Sequence, residues 1–307
     1  MKYERILPQP SQTTRDLIYY ESQNPNKGFR QKGQKCAFSK TERQGLGTQT
    51  GAPLVVLVHG RGFAPQSKRF RPVDTLYLNS ANFSTGLSIW AQSTWANRFA
   101  PRNLVASEFT RIGYGWQCDA KWAWRKNQNL VESEVPYFAG FLQGLRKIAP
   151  NRPLHLMAHN LAAQLCLRAI ETQPSLSPQR IILLDAEAYI SDAILALTSK
   201  AGEKARFYNF IGADARNLPR FPFKLIKSAS YDHSVRQGFP FIHQNWVDIP
   251  YDHLEIMDTL LRGEFVRTPK LDRRSFNPTI NIDQLLVRIL YAAPGTDTRS
   301  IQNVVSA

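Results

Sequence analysis

The feature that most constrains the fold is the stretch 154–171, in which a buried strand turns directly into a helix. Leu154–Ala158 is a short apolar run with the length and composition typical of a strand. Apolar side chains then recur at the i, i+4 interval, which predicts a helix over 161–171. Only His159 and Asn160 lie between the two elements. The backbone must therefore bend sharply, and the side chain of Asn160 should stand in front of the helix N-terminus.

Other apolar segments alternate with helical ones along the chain. Leu54–Val58 consists of leucine and valine, which suits a strand buried on both faces of a parallel sheet. Further strands are predicted at 106–113, 180–185, 206–211 and 246–249, with a short one near 16–20, and helices at 129–148, 188–197 and 283–291. Strands that alternate with helices imply right-handed crossovers. The sequence predicts an α/β fold with a mainly parallel central sheet and helices on both faces.

The change in character near residue 50 suggests how the chain is divided. Residues 1–50 carry nine Lys and Arg against four Asp and Glu, with little periodicity, which is typical of a basic N-terminal extension. We expect one α/β domain over 51–295 and a tail over 296–307. No internal repeat or second boundary is visible.

Composition excludes several classes of protein. The longest apolar runs are far too short to cross a bilayer, and the first residues lack the apolar core of a secretory signal, so we expect a cytoplasmic protein. Cys36, Cys118 and Cys166 do not have the spacing of metal ligands, and their odd number argues against a complete disulfide framework. We expect no metal and no cofactor.

The formal charge of +15 favours anionic partners. Nucleic acid and an anionic membrane surface are both candidates. However, the basic residues are spread along the chain instead of forming one run, which is typical of a solvated surface. Binding of nucleic acid or membrane through a basic face is therefore kept as a further alternative.

Three motifs occur in the chain order of a known superfamily. They are His59-Gly60 after the first buried strand, Ala158-His159-Asn160-Leu161-Ala162 at the strand–helix turn, and the late pair Asp252-His253. With these motifs the chain resembles the α/β-hydrolase superfamily over residues 53–260. Through Gly113–Trp116 and Leu154–Ala158 it is similar to a bacterial group of esterase- or lipase-like hydrolases.

The resemblance implies a catalytic set with one unusual member. Asn160 occupies the position of the serine nucleophile in the pattern Gly-x-Ser-x-Gly. His253 matches the catalytic histidine. Asp214, after the strand 206–211, matches the acid, and Asp185 is the rival.

The resemblance also implies an oxyanion site made by the main chain. One donor would be the N–H of Leu161, at the start of the helix. The second would come from the loop that follows Gly60, either the N–H of Arg61 or that of Gly62. If the side chain of Arg61 faces the cleft, it would favour an anionic ligand.

Asn160 leaves the function open between two main hypotheses. An amide nitrogen is a poor nucleophile, so the first is a catalytically impaired protein that binds a small-molecule or acyl ligand in the cleft of a former hydrolase. The second is an active hydrolase of a small ester, amide or lipid that uses a water activated by His253 and oriented by Asn160. Cys166 is disfavoured as a replacement nucleophile, because it lies inside the helix.

Overall fold

The computed structural model describes residues 17–22, 38–48, 51–67, 71–72, 110–118, 124–212, 234–251 and 289. In chain order the described elements are β1 (Leu17–Glu21), α1 (Lys40–Thr48), β2 (Leu54–Val58), β3 (Thr110–Gly115), α2 (Trp124–Ile148), β4 (Leu154–His159), α3 (Ala162–Thr172), β5 (Arg180–Leu184), α4 (Ile190–Thr198), β6 (Arg206–Gly212), a 3-10 turn (Val235–Gln237) and β7 (Trp246–Tyr251). All seven strands pair in parallel within one sheet, in the order β1-β3-β2-β4-β5-β6-β7.

The strand order reverses between β2 and β4 at the centre of the sheet. From β2 the chain passes outward to β3, whereas from β4 it passes to β5, β6 and β7 in the opposite direction. The register pairs Leu54 with Leu154 and Val58 with Ala158, so the two strands end side by side. In open parallel sheets, ligands bind outside the carboxyl ends of the strands at such a reversal. The fold therefore marks one end of these two strands as the place to look for a site.

One face of the sheet forms the core with the helices. Alternate strand residues such as Val56, Leu156 and Ile181 are fully buried on this side. They pack with side chains such as Phe138 of α2 and Leu165 of α3. Burying each of these side chains stabilises the fold by about 1.5–3 kcal/mol. In the described helices, α1 contacts α2, α2 contacts α3, and α3 contacts α4, so they line up as one layer.

The predicted α/β fold with a mainly parallel sheet is confirmed. Most of the chain that connects β2 to β3 lies outside the described residues. The same is true of most of the predicted helix 283–291. No helix in the described ranges is long and apolar enough to cross a membrane.

Part of the predicted N-terminal extension belongs to the sheet. The strand expected near 16–20 is present as β1, which pairs with β3, and Tyr20 stacks on Tyr114 at a centroid distance of 6.0 Å. Helix α1 was not predicted. It begins with a capping box, in which Ser39 Oγ accepts from the N–H of Glu42 and the Glu42 carboxylate accepts from the N–H of Ser39. The division into an extension, a domain and a tail stays a prediction.

Candidate functional site

Asn160 lies at the sharp turn between β4 and α3. Its φ of +55° places it in the left-handed region, which asparagine tolerates better than most residues. The turn is held by the main chain. The Asn160 N–H donates to the Leu184 carbonyl at 2.9 Å, and the Asn160 carbonyl accepts from the N–H groups of Ala163 at 3.1 Å and Glu187 at 3.0 Å. The strand–turn–helix expected from the sequence is thus present, with Asn160 at its bend.

Gly60 brings the loop after β2 into contact with this turn. A Cβ atom at position 60 would lie 2.6 Å from the Cβ of Asn160 and 2.7 Å from the carbonyl oxygen of His159. Both distances are far below van der Waals contact, and the second involves backbone that cannot easily move. Only glycine therefore permits this approach between the loop and the turn.

Arg61 then links the turn to the loop after β5. Its Nε donates to Oδ1 of Asn160 at 3.2 Å, and its guanidinium forms an ion pair with Glu187. The other oxygen of Glu187 lies 3.6 Å from Nη1 of Arg236, which belongs to the 3-10 turn after β6. Glu187 is buried, whereas the two arginines are half-buried. Four connections at the carboxyl end of the sheet thus meet at one charged cluster.

Two members of this cluster were not predicted as site residues. In the sequence, Glu187 is distinguished only by its position two residues after Asp185. Arg236 belongs to no motif. The turn of Arg236 is placed by tertiary contacts, since the N–H of Val235 donates to the Ala188 carbonyl at 3.1 Å. No spacing in the sequence could have signalled that contact.

The main-chain donors expected for an oxyanion site differ in availability. The N–H of Gly62 donates to the Cys118 carbonyl at 2.7 Å, so that group is already used. Among the described residues, the N–H groups of Arg61 and Leu161 have no acceptor. Leu161 immediately precedes α3, where the helix dipole adds partial positive charge. Arg61 is thus the better candidate for the second donor.

The expected histidine and acid cannot be placed in the same way. His253 and Asp214 lie outside the described residues. The rival acid Asp185 is described. It follows β5, is buried, adopts a φ of +47° and donates its N–H to the Phe210 carbonyl at 3.1 Å. Asp185 therefore lies at the same end of the sheet as Asn160, one residue beyond the Leu184 carbonyl that Asn160 contacts.

His59 has a structural role in the described geometry. Its Nδ1 donates to the Gly60 carbonyl at 2.9 Å, and its Nε2 accepts from the N–H of Trp116 at 3.1 Å. The Trp116 indole in turn donates to the His59 carbonyl at 2.8 Å. Both ring nitrogens are thus occupied by the main chain, and the ring fixes the start of the glycine loop.

Neither a thiol nucleophile nor a metal site emerges in the described part of the chain. Cys166 is fully buried in α3, and this burial raises the pKa of its thiol, so it stays protonated and inert. No group of three or more histidine, cysteine or acidic side chains is arranged to hold a metal ion among the described residues.

Comparisons with known proteins add only remote structural similarity. No family model matches the chain, and no curated protein matches it in sequence. The solved structure of TT1662 from Thermus thermophilus is 10% identical over 70% of this chain and 91% of that chain, with a TM-score of 0.33. Wild-type AbyA5 is 13% identical over 83% of this chain and 64% of that chain, with a TM-score of 0.31. At these values the similarity is no basis for assigning an activity.

Proposed function

We propose that this chain is a protein of α/β-hydrolase type whose cleft binds a small-molecule or acyl ligand without ordinary serine hydrolysis. The observation that carries the proposal is Asn160. It lies at the left-handed turn between β4 and α3, against Gly60, where the strand order reverses. This is the position from which a serine would attack in the hydrolases that the sequence resembles.

The chemistry of a carboxamide at this position is unfavourable for acyl transfer. Its nitrogen lone pair is delocalised into the carbonyl, so no neighbouring base can turn it into a nucleophile comparable to an alkoxide. Its oxygen already accepts a hydrogen bond from Arg61. In serine proteases, loss of the nucleophile lowers turnover by on the order of 10⁶, and about 10³–10⁴ over water remains from the rest of the site. We expect a defect of similar size here.

The test compares the wild-type protein with Asn160→Ser and Asn160→Ala on p-nitrophenyl butyrate. Wild type and Asn160→Ala should both hydrolyse the ester near the background rate. Asn160→Ser should be faster by about 100-fold or more, and only this variant should be labelled by a fluorophosphonate probe. The Ala variant controls for the change in volume. Fluorophosphonate labelling of the wild type would disprove the proposal, because it would reveal a nucleophile other than Asn160.

A second candidate is hydrolysis by an activated water. It is favoured by the N–H groups of Arg61 and Leu161, which are without acceptors among the described residues and belong to the main chain, so that replacing a serine does not remove them. In this case wild type would hydrolyse the ester measurably, without covalent labelling. The rate would be lost in His253→Ala and in Asn160→Ala.

A further inference from the structure

The charged cluster formed by Arg61, Glu187 and Arg236 contains two positive charges and one negative charge. Glu187 has a side chain that is only 6% exposed, and it is shared by Arg61 and Arg236. Neither arginine pairs with Asp185, the other buried carboxylate at this end. Within this cluster one carboxylate therefore faces two guanidinium groups, so the cluster of three residues has one net positive charge.

The two guanidinium groups also have donors to spare. Each carries five N–H groups. Arg61 directs Nε to Asn160 and Nη2 to Glu187. Arg236 is less satisfied, since its Nε is buried without an acceptor in the described part of the chain. Its Nη1 lies 3.6 Å from Glu187, too far for a good hydrogen bond. A partly buried guanidinium with unpaired donors costs free energy unless water or a ligand supplies the acceptors.

The surrounding main chain also favours a negatively charged ligand. The N–H groups of Arg61 and Leu161 lack acceptors among the described residues, and α3 begins at the next residue after Leu161. The helix dipole favours a negative group there. Side chains and backbone of three separate loops thus favour the same kind of ligand.

We propose that the cleft beside Asn160 binds an oxyanion group of a small ligand, a carboxylate or a phosphate, between Arg61 and Arg236. Guanidinium groups suit both anions, because their planar fork of donors matches two oxygens at once. This inference rests on the proposed function in one respect only, namely that the cleft is a ligand site. It adds the chemical class that the ligand must contain.

The experiment is titration calorimetry of the wild-type protein at low ionic strength with three probes. Benzoate tests a carboxylate, inorganic phosphate tests a phosphate, and benzamide is the uncharged analogue of benzoate. We expect saturable binding of benzoate or of phosphate, and the tighter of the two identifies the group. Benzamide should bind at least tenfold more weakly than benzoate. Absence of saturable binding by both anions, or equal binding of benzamide and benzoate, would overturn the proposal.

Variants then assign the binding to these two arginines. Arg61→Met and Arg236→Met should each weaken the anion at least tenfold, since methionine keeps much of the side-chain volume and removes the charge. Arg168→Met is the matched control. Arg168 is a half-buried arginine of α3 that pairs with Asp192 at 3.2 Å and Glu132 at 3.3 Å. Its replacement should leave the affinity unchanged, and an equal loss in all three variants would contradict the assignment.

Glu187→Gln separates ligand binding from a purely structural role of the cluster. Removing the carboxylate releases both arginines, so the anion should bind at least threefold more tightly. Weaker binding in Glu187→Gln would overturn the proposal. Failure of the proposed function would give a different result. The wild type would then hydrolyse the ester, whereas its anion affinity would still depend on Arg61 and Arg236.

Discussion

The two ends of the parallel sheet both contain buried or half-buried arginines, but they use them differently. At the amino end, Arg152 is only 3% exposed and forms four hydrogen bonds. It donates to the carbonyls of Leu46, Ala52 and Pro53 and to the hydroxyl of Thr110, at distances of 2.6 to 3.3 Å. These acceptors belong to α1 and to the starts of the strands, so one side chain joins several elements.

At the carboxyl end the acceptors are side chains, and they are fewer. Among the described residues, Arg61 contacts Asn160 and Glu187, and the guanidinium of Arg236 faces Glu187 alone. Two residues in the turns at this end, Asn160 and Asp185, also adopt left-handed backbone conformations. Arg152 at the amino end is thus held by four hydrogen bonds and has a structural role. Among the described residues, the carboxyl end instead has a buried Arg236 Nε without an acceptor and two left-handed turn residues, a combination expected where a ligand binds.

The largest difference between the two ends should appear in stability. Arg152→Ala leaves buried carbonyls without a charged donor, and we expect a loss of about 4 kcal/mol in the free energy of unfolding. Arg61→Ala should cost only about 2 kcal/mol, because Arg61 is 22% exposed and Arg236 still faces Glu187. Urea unfolding of both variants measures the two values. Equal losses would show that the carboxyl end is as structural as the amino end.

A glycine pair tests the close approach at the carboxyl end. Gly60→Ala would drive a Cβ into Asn160 and the His159 carbonyl, so we expect a loss of about 3 kcal/mol together with weaker ligand binding. The control is Gly140→Ala in α2, where an added Cβ meets nothing within 4 Å. That change should stabilise the protein by about 0.5–1 kcal/mol. A neutral Gly60→Ala variant would contradict the contact between the loop and the turn.

His155 is a buried histidine near the amino end of the sheet, and it should make the free energy of unfolding depend on pH. Burial and the neighbouring Arg180 lower the pKa of His155 from its ordinary value to about 3. The unfolded chain therefore binds a proton that the folded chain does not between about pH 6.5 and pH 3. Across that window, stability should fall with falling pH by up to about 1.4 kcal/mol per pH unit.

His155→Gln isolates this contribution, because glutamine does not titrate and still accepts a hydrogen bond from Arg180. Between pH 6.5 and pH 3, the free energy of unfolding of the variant should fall less steeply than that of the wild type. The difference in slope should be up to about 1.4 kcal/mol per pH unit. Urea unfolding at a series of pH values gives both slopes. Identical slopes would mean that folding does not change the pKa of His155.

The smallest predicted effect concerns backbone strain at position 160. Asn160→Ala and Asn160→Gly both remove the hydrogen bond to Arg61, but only glycine adopts a φ of +55° without strain. We therefore expect Asn160→Gly to be more stable than Asn160→Ala by about 1 kcal/mol. The difference between the two variants in thermal unfolding is the measurement. An alanine variant as stable as the glycine variant would argue against a left-handed turn.

Much of the frame could be predicted from short-range patterns. The apolar runs of β2 and β5 and the change of period after Ala158 are local signals, and the structure has strands and a helix at those places. Strand ends were less accurate, since β3 continues to Gly115, two residues beyond the predicted end at 113. The predicted start over 106–109 lies outside the described residues. Helix α1 was not predicted, although Ser39 and Glu42 have the spacing of a capping box in the sequence.

The sequence by itself determined that the chain forms a parallel α/β sheet with asparagine at its sharpest turn, because both depend on neighbours within a few residues. Only the tertiary structure decided that Arg61, Glu187 and Arg236 meet beside that asparagine. These residues lie on three connections that are far apart in the chain. They converge because parallel strands all deliver their carboxyl ends to one edge of the sheet, and no local pattern of residues encodes which side chains pair there.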